Sequence, residues 1–506
     1  MRRSWFLNLT IVILLSACGS SPRSQAGAGE TPGLLPAAVC GNGICESGEG
    51  SATCQQDCPA SPFRGNIETT YIKSDGSSGN IAVMVASPKT KRYTEGAGVV
   101  LVMPPLFSNV EGFMRDPDVA SIGLVQVSFL WPGEKDTGAG VESKGEFDHG
   151  GPDSIRVLRD VIRFAGGRLA DINGRYIFGL ASVPPLTEEV GLYAFGDAGM
   201  AAVKALSLYG DQFQGLQYYV GRENPTIDIL ACNETGYYDA AGKPIYNPFY
   251  LYPASYSFSS LTLNYTNLHW DPAYTSTLPK TAGRPYLDLD GNGIISAGDY
   301  IFEGQPPNIS GKRYYSIALT QALLDSRVLS LSSWPTDLAT PAEVTGFWQF
   351  LQGAGRFAAI QNESIVQNLK AMLVFAREDH AQVALDKPHI HQAYQGFRFE
   401  AKLWVRLNPD RAYVQDILQK YTANNAGTPS GTATTSPILD FPDNPANTQP
   451  DDWVNIGDYA YPGQGEGAQL VPLAAVAEMA DRAHAGLWDE NIGQVFYNYT
   501  PSTPTP

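Results

Sequence analysis

The stretch V-G-L-Y-A-F-G-D-A-G-M-A-A-V-K-A, from Val190 to Ala205, constrains the fold more than any other. Its apolar first half reads as a short buried strand. Gly196 and Asp197 then make a tight turn, and the small residues after them open a helix. A sharp strand-to-helix turn of this kind lifts one side chain clear of a sheet, where it can meet a ligand or a substrate.

The surrounding pattern supplies the sheet. E-T-T-Y-I-K and N-I-A-V-M-V-A flank a D-G-S-S-G turn and read as a hairpin. Gly98–Leu106 is continuously apolar, as a central parallel strand covered on both faces should be. Further strands are expected at Gly123–Leu130, Leu216–Val220, Ala371–Ala376 and in the run ending at Leu407. Between them, Ile155, Leu158, Val161 and Ile162 form one helical stripe, with Asp153 or Ser154 as its N-cap. Strand and helix alternation of this kind predicts an α/β fold with a mostly parallel central sheet covered by helices. A long interruption, about 221–367, divides the pattern as an inserted cap, with one or two helices over Ala342–Ile365. Its aromatic stretch Tyr237–Tyr274 suits either glycan contacts or a lid core.

The strand-turn-helix resembles the nucleophile elbow of the α/β-hydrolase family, which runs small-x-nucleophile-x-small-small. On that template Ala194 and Ala198–Gly199 take the small positions, and the nucleophile position falls on Gly196, which has no side chain. The resemblance covers roughly Asn66 to Val414. It implies an acid after the Ala371–Ala376 strand, where Asp379 stands, although a turn or cap residue is the plain alternative. It implies a histidine after Leu407, but N-P-D-R-A-Y follows there, and His484 further on belongs to a helix. His149-Gly150-Gly151 is similar to the family's H-G-G-G oxyanion motif but follows the wrong strand. The motif's own place holds Met103-Pro104-Pro105, whose prolines have no N–H to offer. Sliding one place makes Asp197 a carboxylate nucleophile, as in haloalkane dehalogenases and epoxide hydrolases, with His380, His389 or His391 as base. His389 and His391 also suit a transition metal with Asp379 or Asp386. The retained turn without its nucleophile suits a binding protein. A rebuilt site on Asp197, Asp379 and His380 would make a hydrolase of esters, amides, epoxides or carbon–halogen bonds.

Metal chemistry is written most plainly in D-L-D-G-N-G-I-I-S-A-G-D. Calcium loops of the EF-hand type place oxygen ligands at positions 1, 3, 5, 7, 9 and 12, with glycine at 6. Here these are Asp288, Asp290, Asn292, the Ile294 carbonyl, Ser296 and Asp299, with Gly293 at the turn and Ile295 as the apolar anchor. Aspartate at position 12 resembles dockerin loops and shortens the reach of that ligand. A structural Ca2+ within the cap, at 288–299, is the expected cofactor.

The N-terminal residues point to export. Arg2 and Arg3 precede a short apolar run from Trp5 to Leu15, as in a secretory leader. L-S-A-C then resembles a bacterial lipobox and implies lipidation of Cys18 after removal of the leader, 1–18. Gly19 after the cysteine suits the outer membrane or cell surface, with the periplasmic face as an alternative. Residues 19–39, rich in Ser, Gly, Ala and Pro, form a tether. Cys40, Cys45, Cys54 and Cys58 fall within 19 residues and resemble the Cys-rich repeats of exported myxobacterial proteins. Two disulfides are expected there, with three possible connectivities, making 40–60 a small stapled module. Zinc, or calcium on Glu46, Glu49 and Asp57, is the alternative. Cys232 is expected to pack as an apolar side chain. The hydrolase-like domain then spans 61–422, and 423–506 holds a linker, a helix over 471–487 and a tail. No later apolar run suits a spanning helix, so the lipid anchor would be the membrane attachment. A net charge of −17 makes nucleic acid a poor partner and leaves an envelope or extracellular ligand.

Overall fold

The computed structural model describes residues 64–488 apart from 108–110, 240–242, 252–255, 257, 260, 278–279, 303–306, 364, 376–381, 385, 410–412, 414–415 and 418–465. The leader with Cys18, the tether, and the module with Cys40, Cys45, Cys54 and Cys58 lie outside the described residues, as do Asp379 and His380.

Eight strands make the central sheet: β1 (Arg64–Lys73), β2 (Asn80–Pro88), β3 (Ala97–Val102), β4 (Val125–Phe129), β5 (Pro185–Phe195), β6 (Leu216–Arg222), β7 (Lys370–Val374) and β8 (Trp404–Leu407). Their order is β1-β2-β4-β3-β5-β6-β7-β8. Only the pairs made by β2 are antiparallel; the other five are parallel. Every residue of β3 and β4 is buried, which is why their sequences run apolar without alternation. The sheet is mostly parallel and helix-covered, as the sequence pattern predicts.

Helices α1 (Pro152–Ala165) and α2 (Ala198–Tyr209) pack against each other beside the sheet. The stripe Ile155, Leu158, Val161 and Ile162 is buried as expected. The cap of α1 differs from expectation. Gly151 is the N-cap and Pro152 takes the first turn, where its missing N–H costs nothing. The Asp148 carboxylate, outside the helix, accepts from Asp153 N at 2.8 Å and Ser154 N at 3.0 Å. The last strand is also shorter than its sequence suggests. Gly396–Glu400 forms a wide helical turn that seats Phe397 against Phe357, with ring centroids 5.0 Å apart, and β8 begins only at Trp404.

Between β6 and β7 the insert carries α3 (Ile317–Asp325), α4 (Pro341–Gln352) and α5 (Arg356–Asn362), and α6 (Pro388–Gln395) follows β7. The insert has a core of its own, around Leu268, Leu287, Tyr300, Tyr315, Leu319 and Leu338. Its hairpin pairs Leu268–Thr277 with Lys280–Leu287, and Tyr300–Ile301 adds a third strand. Cys232 is buried, as expected, and stands 3.3 Å from the Tyr314 carbonyl oxygen.

Helix α7 (Glu466–Ala485) packs across β5, β6 and β7, and its residues Leu473–Ala477 and Met479 join the main core. A domain ending at residue 422 therefore omits part of its own core. Within that core Glu478 meets Arg406 of β8 at 3.3 Å and Arg482 at 2.8 Å. Among the described residues, no helix is long and apolar enough to cross a membrane.

Candidate functional site

The site lies at the carboxyl end of β5, where parallel α/β sheets commonly receive ligands. After Phe195 the chain turns through Gly196 at φ +54° and enters α2 one residue later. This left-handed conformation is the strained corner of an elbow, and glycine adopts it without penalty. A Cβ on Gly199 would stand 2.2 Å from Asn224 Cγ, so only glycine lets α2 approach here. Asn224 fastens the turn. Its amide nitrogen lies 3.1, 2.7 and 3.0 Å from the carbonyl oxygens of Ala194, Gly196 and Arg222, and its oxygen accepts from Tyr219 Oη at 2.7 Å. Two N–H bonds thus serve three carbonyls, one of them by sharing. The fold is α/β-hydrolase-like.

Asp197 decides what this elbow offers. Its carboxylate accepts from Leu106 N at 3.0 Å and from Phe107 N at 3.0 Å, one bond to each oxygen. Pro104 and Pro105 donate nothing, but the next two residues turn their N–H groups toward the elbow. These are the donors that an oxyanion after β3 would need. The protein's own carboxylate holds them.

The loop bearing these donors is braced from three directions. Trp131 Nε1 donates to the Pro105 carbonyl at 2.8 Å, and His149 Nδ1 lies 3.2 Å from the Leu106 carbonyl oxygen. Phe107 packs on Phe347 and Trp348 of α4, at 6.0 and 5.7 Å between ring centroids. His-Gly-Gly therefore supports this loop through the His149 ring. Burial pushes the His149 pKa down.

His484 sits toward the opposite end of β5 from the elbow. His484 Nδ1 lies 3.0 Å from Glu189, six residues before the end of β5 and therefore about 20 Å along the strand from the elbow. His391 is buried with its ring stacked on Tyr256 at 3.7 Å, and burial lowers its pKa well below the usual range. His389 is fully buried on α6. Asp386 accepts from Tyr250 Oη at 2.7 Å and Tyr256 Oη at 2.8 Å, and burial raises its pKa to about 6. Among the described residues, no group of three metal ligands includes these histidines. Asp386 ties the insert to α6, and Asp379, the other carboxylate expected beside these histidines, lies outside the described residues.

The three carboxylates of the calcium-type loop do converge. Ligand oxygens of Asp288, Asp290 and Asp299 lie within 4.8 Å of one another. Asp288 accepts from Gly291 N and Gly293 N, Asn292 Oδ1 from Ile294 N, and Asp299 from Leu289 N and Ser296 N. Gly293 takes φ +75°. Burial raises the Asp288 pKa, but the Gly293 and Gly291 N–H bonds outweigh it and leave the carboxyl below its usual range. The surroundings are not those of an EF-hand. Strands Lys280–Leu287 and Tyr300–Ile301 flank the loop in place of the helix pair.

No family model matches the chain, and no curated protein matches it. Among solved structures it is similar to the acylaminoacyl peptidase of Pyrococcus horikoshii, at 10% identity and TM-score 0.34, over 68% of this chain and 36% of that one. A fungal esterase of Rhizomucor miehei matches at 11% and 0.33, over 68% and 73%. A thermostable esterase of Pseudomonas putida matches at 8% and 0.33, over 69% and 73%. The chain spans about a third of the peptidase's length. The fold statement rests on the sheet order and the elbow, independently of these remote likenesses.

Proposed function

We propose that the chain is an exported, calcium-binding lipoprotein whose α/β-hydrolase-like domain binds a ligand without catalysing its hydrolysis. The observation that carries this reading is the pairing of a glycine at the elbow with a carboxylate on the Leu106 and Phe107 donors. An acyl-transfer site needs a nucleophile and an unoccupied anion hole at this place. The described elbow has glycine at the nucleophile position, and Asp197 occupies its donors. Labelling with a fluorophosphonate tests the reading. Neither the natural protein nor its Gly196→Ser variant should be labelled, and the variant should fold with about 1–3 kcal/mol less stability. Stoichiometric labelling of a serine in the natural protein would overturn it.

Calcium fits the donor set, which is all oxygen and carries three carboxylates. Asp288, Asp290, Asn292, the Ile294 carbonyl, Ser296 and Asp299 would hold the ion and pin the insert's three-stranded sheet. Calorimetric titration should give a Kd of about 10⁻⁴–10⁻³ M, as in extracellular modules. Asp290→Ala, at an exposed position, should abolish the heat without unfolding the protein. A titration without heat in the natural protein would remove calcium from the account. The L-S-A-C sequence supports a lipid on Cys18 and residence at the outer membrane or cell surface. The ligand is then an envelope or extracellular component.

A further inference from the structure

Within the insert, the segment leaving β6 clamps the start of α3. Asp228, Cys232 and Glu234 are all buried there, and between them they hold Tyr314, Ser316 and Ile317. Cys232 Sγ donates to the Tyr314 carbonyl at 3.3 Å. Glu234 Oε1 accepts from Ser316 N at 3.0 Å, and its Oε2 lies 2.8 Å from both Ser316 Oγ and Tyr265 Oη. Asp228 accepts from Ile317 N at 2.8 Å and from Ile229 N at 3.0 Å, one bond on each oxygen. The Glu234 carbonyl accepts from Asn247 Nδ2 at 2.8 Å, which ties the same residue to the insert from a second side.

Two carboxyl groups thus meet consecutive backbone N–H groups out of water. Neighbouring buried carboxylates do not both keep their charge cheaply, so one retains a proton at neutral pH. The hydrogen bonds say which. Both oxygens of Asp228 face backbone N–H groups, which can only donate, and Arg356 acts on Asp228 electrostatically. Glu234 Oε2 faces two hydroxyls, and a hydroxyl accepts a bond as readily as it donates one. Burial raises the Glu234 pKa to about 8 against the Ser316 and Tyr265 bonds, and it raises that of Asp228 as well. The other titratable groups around Glu234 are Cys232, Tyr265, Tyr300 and Tyr315, and burial pushes each of them up, so they stay neutral through pH 9. Arg313, beside Tyr315, pairs with Asp337 at 3.0 Å. We propose that Glu234 is a proton-operated latch. With its proton it docks the start of α3 onto the segment leaving β6; without it, a second negative charge beside Asp228 loosens α3.

A carboxyl group whose pKa is raised by folding stabilises the fold most at low pH, and that stability is lost as pH rises toward the raised value. Thermal unfolding of the purified protein and of Glu234→Gln between pH 6 and pH 9, at constant calcium, tests the latch. The Tm of the natural protein should fall across this range by about 2–4 °C more than that of the variant, whose amide cannot ionise. Two curves that run parallel overturn the proposal. Should Glu234→Gln fail to fold, amide hydrogen exchange of the natural protein decides, after allowance for the intrinsic effect of pH on exchange. Protection that falls in α3 between pH 6 and pH 9 while β3 keeps its own supports the latch. Protection that is kept in α3, or that falls equally in β3, overturns it.

Discussion

Replacing Asp197 with alanine is expected to lower the unfolding free energy by about 2–3 kcal/mol. Two charge-assisted bonds, to Leu106 N and Phe107 N at 3.0 Å each, are lost together. A single such bond contributes about 1.5–3 kcal/mol when buried, and the part-exposed setting of Asp197 discounts the sum because water can reach the freed donors. Asp197→Asn should lie between the two, since one of its amide ends presents N–H to an N–H donor. Urea unfolding followed by circular dichroism would measure this as an earlier midpoint with an unchanged slope. An unchanged midpoint would mean that the carboxylate does not hold the loop after β3.

A larger loss is expected from Glu478→Ala, about 3–5 kcal/mol. Glu478 is 0% exposed and Arg406 1%, so the substitution leaves a guanidinium in the core without its carboxylate. The cost arises from the stranded charge, which makes a second variant informative. Replacing both residues together, as Glu478→Leu with Arg406→Met, removes the charge and should recover most of the loss. A double variant as unstable as the single one would show that packing, not charge, holds α7 to the sheet.

The local features were legible and the distant ones were not. The central strands announced themselves as continuous apolar runs, because a strand buried on both faces has no polar side to alternate with. The elbow was legible for the same reason: Gly196 and Gly199 are required by backbone geometry within a few residues. The calcium-type loop is also local, since its ligands come from 12 consecutive residues, yet its flanking strands were hidden by the EF-hand pattern.

What decides the site comes from far along the chain. Asp197 reaches backbone N–H groups 90 and 91 residues upstream, and a backbone donor leaves no mark in a sequence. Prolines at 104 and 105 correctly indicated two missing donors but not that Leu106 and Phe107 would supply others. Asn224 carried no signal either, because it fastens the turn through carbonyls that any residue provides. The place of α7 was missed for a related reason. Its residues are apolar nearly all round, which marks burial without naming the surface that buries it.

Hydrolysis of short and long nitrophenyl esters by the purified, calcium-loaded protein, beside its Asp197→Asn variant, tests the central claim most directly. The account predicts that both proteins hydrolyse every ester at the rate of buffer alone. Saturable turnover by the natural protein that disappears in Asp197→Asn would contradict it and make Asp197 a nucleophile. Turnover retained by the variant would contradict it as well, through a reactive group other than the elbow carboxylate.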